Sequence, residues 1–102
     1  MRWGDALYDG GILRPATMAQ MLDFNADGYG LGSERYTIDG LAGYGHSGLL
    51  RGYTTLLVHI PGAKLTIAVL ATGHIFDPTA LLTHEAPGAP SILSLAQAIS
   101  PR

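Results

Sequence analysis

The chain has 102 residues, 47% of them hydrophobic and 14% charged, the balance of a folded chain with one modest core rather than a disordered one. Its net charge of −2, with six scattered Lys and Arg, gives no electrostatic footprint for nucleic acid, and the lack of cysteine excludes disulfides and thiolate metal sites. The longest apolar run, residues 65–71, is far short of the ~20 residues that cross a bilayer as a helix, so no transmembrane segment is expected. Residues 1–5 carry no apolar stretch of the secretory type.

Trp3, Leu7 and Tyr8 recur at helical spacing until Gly10-Gly11 stops them, which predicts a first helix with no capping residue before it, as though the chain opened inside a helix. A second short helix is predicted over residues 17–24, behind Pro15, with Met18, Met21 and Leu22 on one face. Segments rich in glycine and tyrosine follow, at residues 29–33 and 35–38. From Arg51 the period changes. Tyr53, Thr55, Leu57 and His59 alternate with Thr54, Leu56, Val58 and Ile60, the pattern of a strand; Pro61-Gly62 is a turn, and residues 65–71 form the next strand of an antiparallel hairpin. Residues 77–90, with Pro78, Pro87 and Pro90, read as loop. Ser91 then caps a last helix carrying Ile92, Leu93, Leu95, Ala96 and Ile99, ended by Pro101. The order helix, helix, three or so strands, helix predicts an α+β fold, an antiparallel sheet with helices packed on it. There is no internal repeat.

Residues 43–48, Gly-Tyr-Gly-His-Ser-Gly, overlap three motifs of unrelated chemistry. A dinucleotide fingerprint G-x-G-x-x-G must follow a strand and open a helix, whereas residues 49–53 lead into a strand. A nucleophile elbow G-x-S-x-G sits on a strand-to-helix turn, whereas here Leu49 takes the place of the last glycine and no helix follows. The third is the edge-strand triplet K/H-x-G of penicillin-recognising hydrolases, matched by His46-Ser47-Gly48. Upstream, Asp23, Asn25, Asp27, Gly28 and Glu34 satisfy the calcium-loop pattern D-x-[DN]-x-[DN]-G-x5-E, hard oxygen donors around a sharp turn. Against it, Gly30 and Gly32 fill the second half of the loop and residues 35–40 favour a strand over the exit helix. A polar helix-to-strand connection explains the same residues. His46, His59, His74 and His84 have no metal-ligand spacing. His59 reads as a packed or surface strand residue, Asp5 and Asp9 as a solvated helix face, and Trp3, Tyr8 and the methionines as core contacts.

Taken in order, Tyr29-Gly-Leu-Gly32, Gly43-Tyr-Gly-His-Ser-Gly48, Gly52-Tyr53 and Leu65-Thr-Ile-Ala-Val-Leu70 resemble the C-terminal part of the serine β-lactamase-like family, which includes class C β-lactamases, D-alanyl-D-alanine carboxypeptidases and related esterases. The opening Trp3, Ala6-Leu7-Tyr8, Gly11-Ile12-Leu13, Met18 and Met21 look like the family's helices before that segment. The resemblance implies a fragment of the β-lactamase/penicillin-binding-protein fold, a single incomplete domain over residues 1–102, and no cofactor. It implies that His46 supplies electrostatics and hydrogen bonding near a serine nucleophile, that the Ser47 hydroxyl binds the substrate carboxylate, and that Gly48 leaves room for substrate. The Leu49 N–H would then be an oxyanion-hole donor. Relatives often carry a second glycine at the position of Leu49.

The family's nucleophile stands in S-x-x-K and its proton-moving tyrosine in Y-x-N. Neither occurs here: no serine has lysine three residues on, and no tyrosine has asparagine two residues on. The expectation is therefore a C-terminal fragment of a β-lactamase, D-Ala-D-Ala carboxypeptidase or esterase, inactive alone. Its partners would be a β-lactam, D-Ala peptide or ester in the complete protein, and the missing N-terminal segment or a second copy of the chain. The alternatives are a calcium-binding module through the loop from Asp23 to Glu34, a non-catalytic interaction domain, and one chain of a split enzyme.

Overall fold

A computed structural model describes residues 2–73, 79–83 and 90–99. The elements in chain order are α1 (Arg2–Asp9), α2 (Pro15–Met21), β1 (Glu34–Ile38), β2 (Leu41–Leu50), β3 (Tyr53–Ile60), a 3-10 turn (Pro61–Ala63), β4 (Leu65–Thr72), α3 (Ala80–Thr83) and α4 (Ile92–Ile99). The fold is α+β, with one antiparallel sheet in the order β1-β2-β3-β4.

Two-residue turns fix the register. Asp39-Gly40, both at positive φ (51° and 78°), joins β1 to β2 and pairs Ile38 with Leu41 and Glu34 with Gly45, as expected of a primed hairpin turn. Arg51-Gly52 joins β2 to β3 and pairs Leu50 with Tyr53 and Tyr44 with His59. β4 follows the 3-10 turn and pairs with all of β3, from Ile60 with Leu65 to Tyr53 with Thr72.

The alternation predicted for β3 sorts its side chains onto two faces. Leu56, Val58 and Ile60 are buried on one face with Ile38, Ile67 and Ala63, and Leu82 of α3 and Leu93 of α4 complete that core. Removing this much apolar surface from water is the main term favouring the fold. On the opposite face α1 covers only one end. There Gly4 lies so close to Thr66 that a Cβ would overlap its methyl group, and the Tyr8 ring stacks on His59 at 5.6 Å between centroids. His59 is 1% exposed. Further along this face Tyr53 and Leu70 are exposed, and Thr55 and Leu57 are half-buried.

Four expectations need correction. Trp3 is 57% exposed rather than a core contact, because the small Gly4 and Tyr8 make the contact with the sheet. Asp5 is more than a solvated carboxylate: it accepts the Thr66 hydroxyl at 2.6 Å. The second helix spans Pro15–Met21 rather than residues 17–24, since proline is favoured in the first turn, where no N–H partner is lost. Within the predicted loop, Ala80–Thr83 forms a helical turn, too short to leave a periodic signal and held by the buried Leu82. Ser91 caps α4 as predicted, its Oγ accepting the Ser94 N–H at 3.1 Å. His74, His84, Pro101 and much of the predicted loop lie outside the described residues. Among the described residues, no helix is long and apolar enough to cross a membrane.

Candidate functional site

Strand β2 carries the His46-Ser47-Gly48 triplet, and its two halves differ. Residues 41–45 pair with β1 on one side, and residues 44–50 pair with β3 on the other. From His46 onward the side of β2 that faced β1 has no strand partner among the described residues. In an antiparallel ladder, residues of one parity turn both N–H and C=O to the same neighbour. The turn pair Ile38–Leu41 assigns the odd positions of β2 to the β1 side, so the N–H groups of Ser47 and Leu49 face the unpaired edge. The Ser47 N–H lies 3.4 Å from Glu34 Oε1, as this assignment requires.

The glycines of the motif serve packing. A Cβ on Gly45 would overlap the Leu57 carbonyl, so only glycine allows β2 to approach β3 there. A Cβ on Gly48 would stand 2.5 Å from Thr55 Oγ1, on the face where Tyr53 and Leu70 are exposed. Beside the triplet, a depression of about 270 Å³ runs from His46 and Gly48 past Thr55 and Leu57 to Ala68 and Leu70.

His46 is 48% exposed at its side chain. Its Nδ1 bonds the Ser47 carbonyl, which can only accept, so Nδ1 carries the proton. Nε2 is then the acceptor of the neutral ring and takes the Tyr29 O–H at 2.7 Å. The Tyr29 ring meets the imidazole edge-on at 5.6 Å. Tyr29 opens the Tyr-Gly-Leu-Gly segment, so the fold brings that segment onto the triplet.

Glu34, at the start of β1, collects the remaining donors. Its Oε1 accepts the Tyr36 hydroxyl at 2.9 Å and the Ser47 hydroxyl at 3.3 Å, and lies 3.7 Å from His46 Nδ1. Burial, and then the Glu34 charge, push the Tyr36 phenol up to about 12 against the opposing effect of Ser47, so Tyr36 remains a proton donor to Glu34 at neutral pH. Side chains of the triplet alternate across the sheet, His46 opposite Leu57 and Ser47 opposite Leu56. Glu34, at the edge, is the group that sees both. Leu49 sits beyond it, exposed, opposite Thr54.

The four residues of the calcium pattern are not gathered. Asn25 Oδ1 accepts the N–H groups of Asp27 and Tyr29 at 2.9 and 3.0 Å, an Asx turn, while Glu34 is engaged on the sheet. Among the described residues, no three of His, Cys, Asp and Glu form a group that could hold a metal.

Tyr36 belongs to none of the motifs, and Tyr29 and Glu34 enter the motif reading only as the start of the Tyr-Gly-Leu-Gly segment and the end of the calcium pattern, not as neighbours of His46 and Ser47. A signal exists for Glu34: Asp39-Gly40 is a hairpin turn, and counting back from it places residue 34 opposite residue 45. No protein-family model matches the chain, and no curated protein matches it either.

Proposed function

We propose that this chain supplies the cleft-edge strand of a serine β-lactamase-like hydrolase, with the nucleophile and its base carried by residues outside these 102. One observation carries the reading. Among the described residues, the strand bearing His46-Ser47-Gly48 has no β1-side neighbour beyond Gly45 and turns the Leu49 N–H to that edge, beside an exposed histidine. A substrate laid along that edge would extend the sheet. The Leu49 N–H would then face a carbonyl oxygen on which charge develops during acyl transfer. His46 and Tyr29 would form a coupled pair at the same edge, able to hold or pass one proton between phenol and imidazole. Gly48 keeps the approach free of a side chain.

In this reading β4, an outer strand of the sheet with Leu70 83% exposed, joins a further strand from the missing segment or from a second copy. An unpaired strand without lysine, proline or a bulge across it invites such pairing.

Serine chemistry needs an activated hydroxyl, and Ser47 donates to a carboxylate at 3.3 Å, while the one lysine of the sequence, Lys64, stands in the turn between β3 and β4. The isolated chain should therefore gain no mass on incubation with a fluorescent penicillin or an activated ester. The reading frame around the sequence, or an adjoining one, should encode S-x-x-K. A covalent adduct on Ser47, or the lack of any such partner motif, would overturn the proposal.

A further inference from the structure

Resting on that reading, we propose that Glu34 fills the anion position of the cleft edge, so the site takes an N–H donor where a carboxylate would otherwise bind. The Ser47 hydroxyl is the group expected to receive a substrate carboxylate. It is already turned to Glu34 Oε1, at 3.3 Å, as is the Ser47 N–H, at 3.4 Å. Tyr36 donates to the same oxygen at 2.9 Å. Three donors of the edge thus converge on one carboxylate that belongs to the protein.

Two consequences follow from charge alone. A substrate carboxylate brought to Ser47 would meet a like charge within a few ångströms and would have to displace it from three hydrogen bonds, an unfavourable exchange at an edge only partly open to water. A neutral amide or an ammonium group would instead find an acceptor, since a carboxylate offers about four lone-pair sites and the three donors here share one of its oxygens. The substrate class narrows accordingly, from acids such as penicillins to acyl compounds whose group at this position is an amide or an amine.

The test compares two probes that differ only in that group, N-acetyl-D-alaninamide and N-acetyl-D-alanine, titrated into the ¹⁵N-labelled chain while the Ser47 and Leu49 amide resonances are followed. The amide should reach half-saturation at a concentration about tenfold lower than the acid, and Glu34→Gln should abolish or reverse that preference. Equal binding of the two probes by the unsubstituted chain would overturn the inference and leave the cleft-edge reading standing, as would a Glu34→Gln chain that keeps the original preference. Failure of both probes to shift either resonance would overturn the two together. The titrations of the unsubstituted chain separate these outcomes even where the variant does not fold.

Discussion

Two histidines on the same face of the sheet, in adjacent strands, have almost the same neighbours and opposite fates. His59 Nδ1 bonds a hydroxyl, Thr66, at 2.7 Å and lies 3.8 Å from the Asp5 carboxylate. His46 Nε2 bonds a hydroxyl, Tyr29, at 2.7 Å, and its Nδ1 lies 3.7 Å from the Glu34 carboxylate. The difference is cover. α1 lies over His59 and holds it among Tyr8 and Tyr44, whereas the His46 side chain is about half exposed. At the covered end the hydroxyl and carboxylate satisfy a buried polar ring, which an apolar setting demands. At the open end the same groups remain within reach of a ligand. Local chemistry alone does not mark a site; access decides.

The comparison breaks most sharply at Gly45, where β2 is paired on both sides. Gly45→Ala drives its Cβ into the Leu57 carbonyl, and a backbone group cannot step aside without spreading two strands. The variant should lose roughly 3 kcal/mol of stability, the upper range for overpacking, read as a lowered urea midpoint at unchanged slope. A midpoint equal to that of the unsubstituted chain would mean that β2 and β3 leave room for a side chain between them.

Strands β3 and β4 are legible in the sequence because alternation survives burial on one face, and their predicted bounds agree with the structure to within a residue. The last helix is legible from Ser91. Glu34 reads as the end of a calcium pattern, because spacing along the chain cannot tell a loop ligand from a strand residue thirteen positions before its partner Ser47. Only the register of the hairpin separates them. Trp3 and Asp5 are misread for a related reason: which residues of this eight-residue helix meet the sheet depends on Gly4 fitting against Thr66, a contact 62 positions apart that no local spacing announces. The free edge beyond Gly45 cannot be read from β2 itself, since it follows from where β1 begins.

The covered end can be probed by acid. Thr66 donates its one proton to Asp5, so His59 Nδ1 carries a proton and donates to Thr66. Burial lowers the His59 pKa, against the smaller pull of Asp5 and Asp9, so the folded value lies below the unfolded one, near 6.5. As pH falls, the unfolded chain takes the proton first. This contribution to stability is therefore complete above the unfolded value and is lost progressively as pH drops from about 6.5 toward the folded value. Urea midpoints measured from about pH 7 down to about pH 5.5 should fall, and His59→Gln should flatten the slope. An equal slope in that variant would assign the acid sensitivity to other groups and undo the contrast between the two histidines.

The smallest expected effect lies at the open end. Gly48→Ala meets only the Thr55 hydroxyl, at 2.5 Å, and that hydroxyl is held by a long contact to the Gly48 carbonyl, 3.4 Å. A side chain with a single χ1 can turn away where a backbone carbonyl cannot, so the loss should be about 1 kcal/mol, the low end of the cost of overpacking. Because one neighbour accounts for the strain, the two positions should couple: in the Thr55→Ala background the same substitution should cost almost nothing, a non-additivity that a double-mutant cycle measures directly. Gly45→Ala has no such remedy, since its obstacle is main chain. A Gly48→Ala loss as large as that at Gly45, and unrelieved by Thr55→Ala, would mean that something beyond the described residues covers this end of the sheet. In that case His46 would be as enclosed as His59, and the edge would not be free for a substrate.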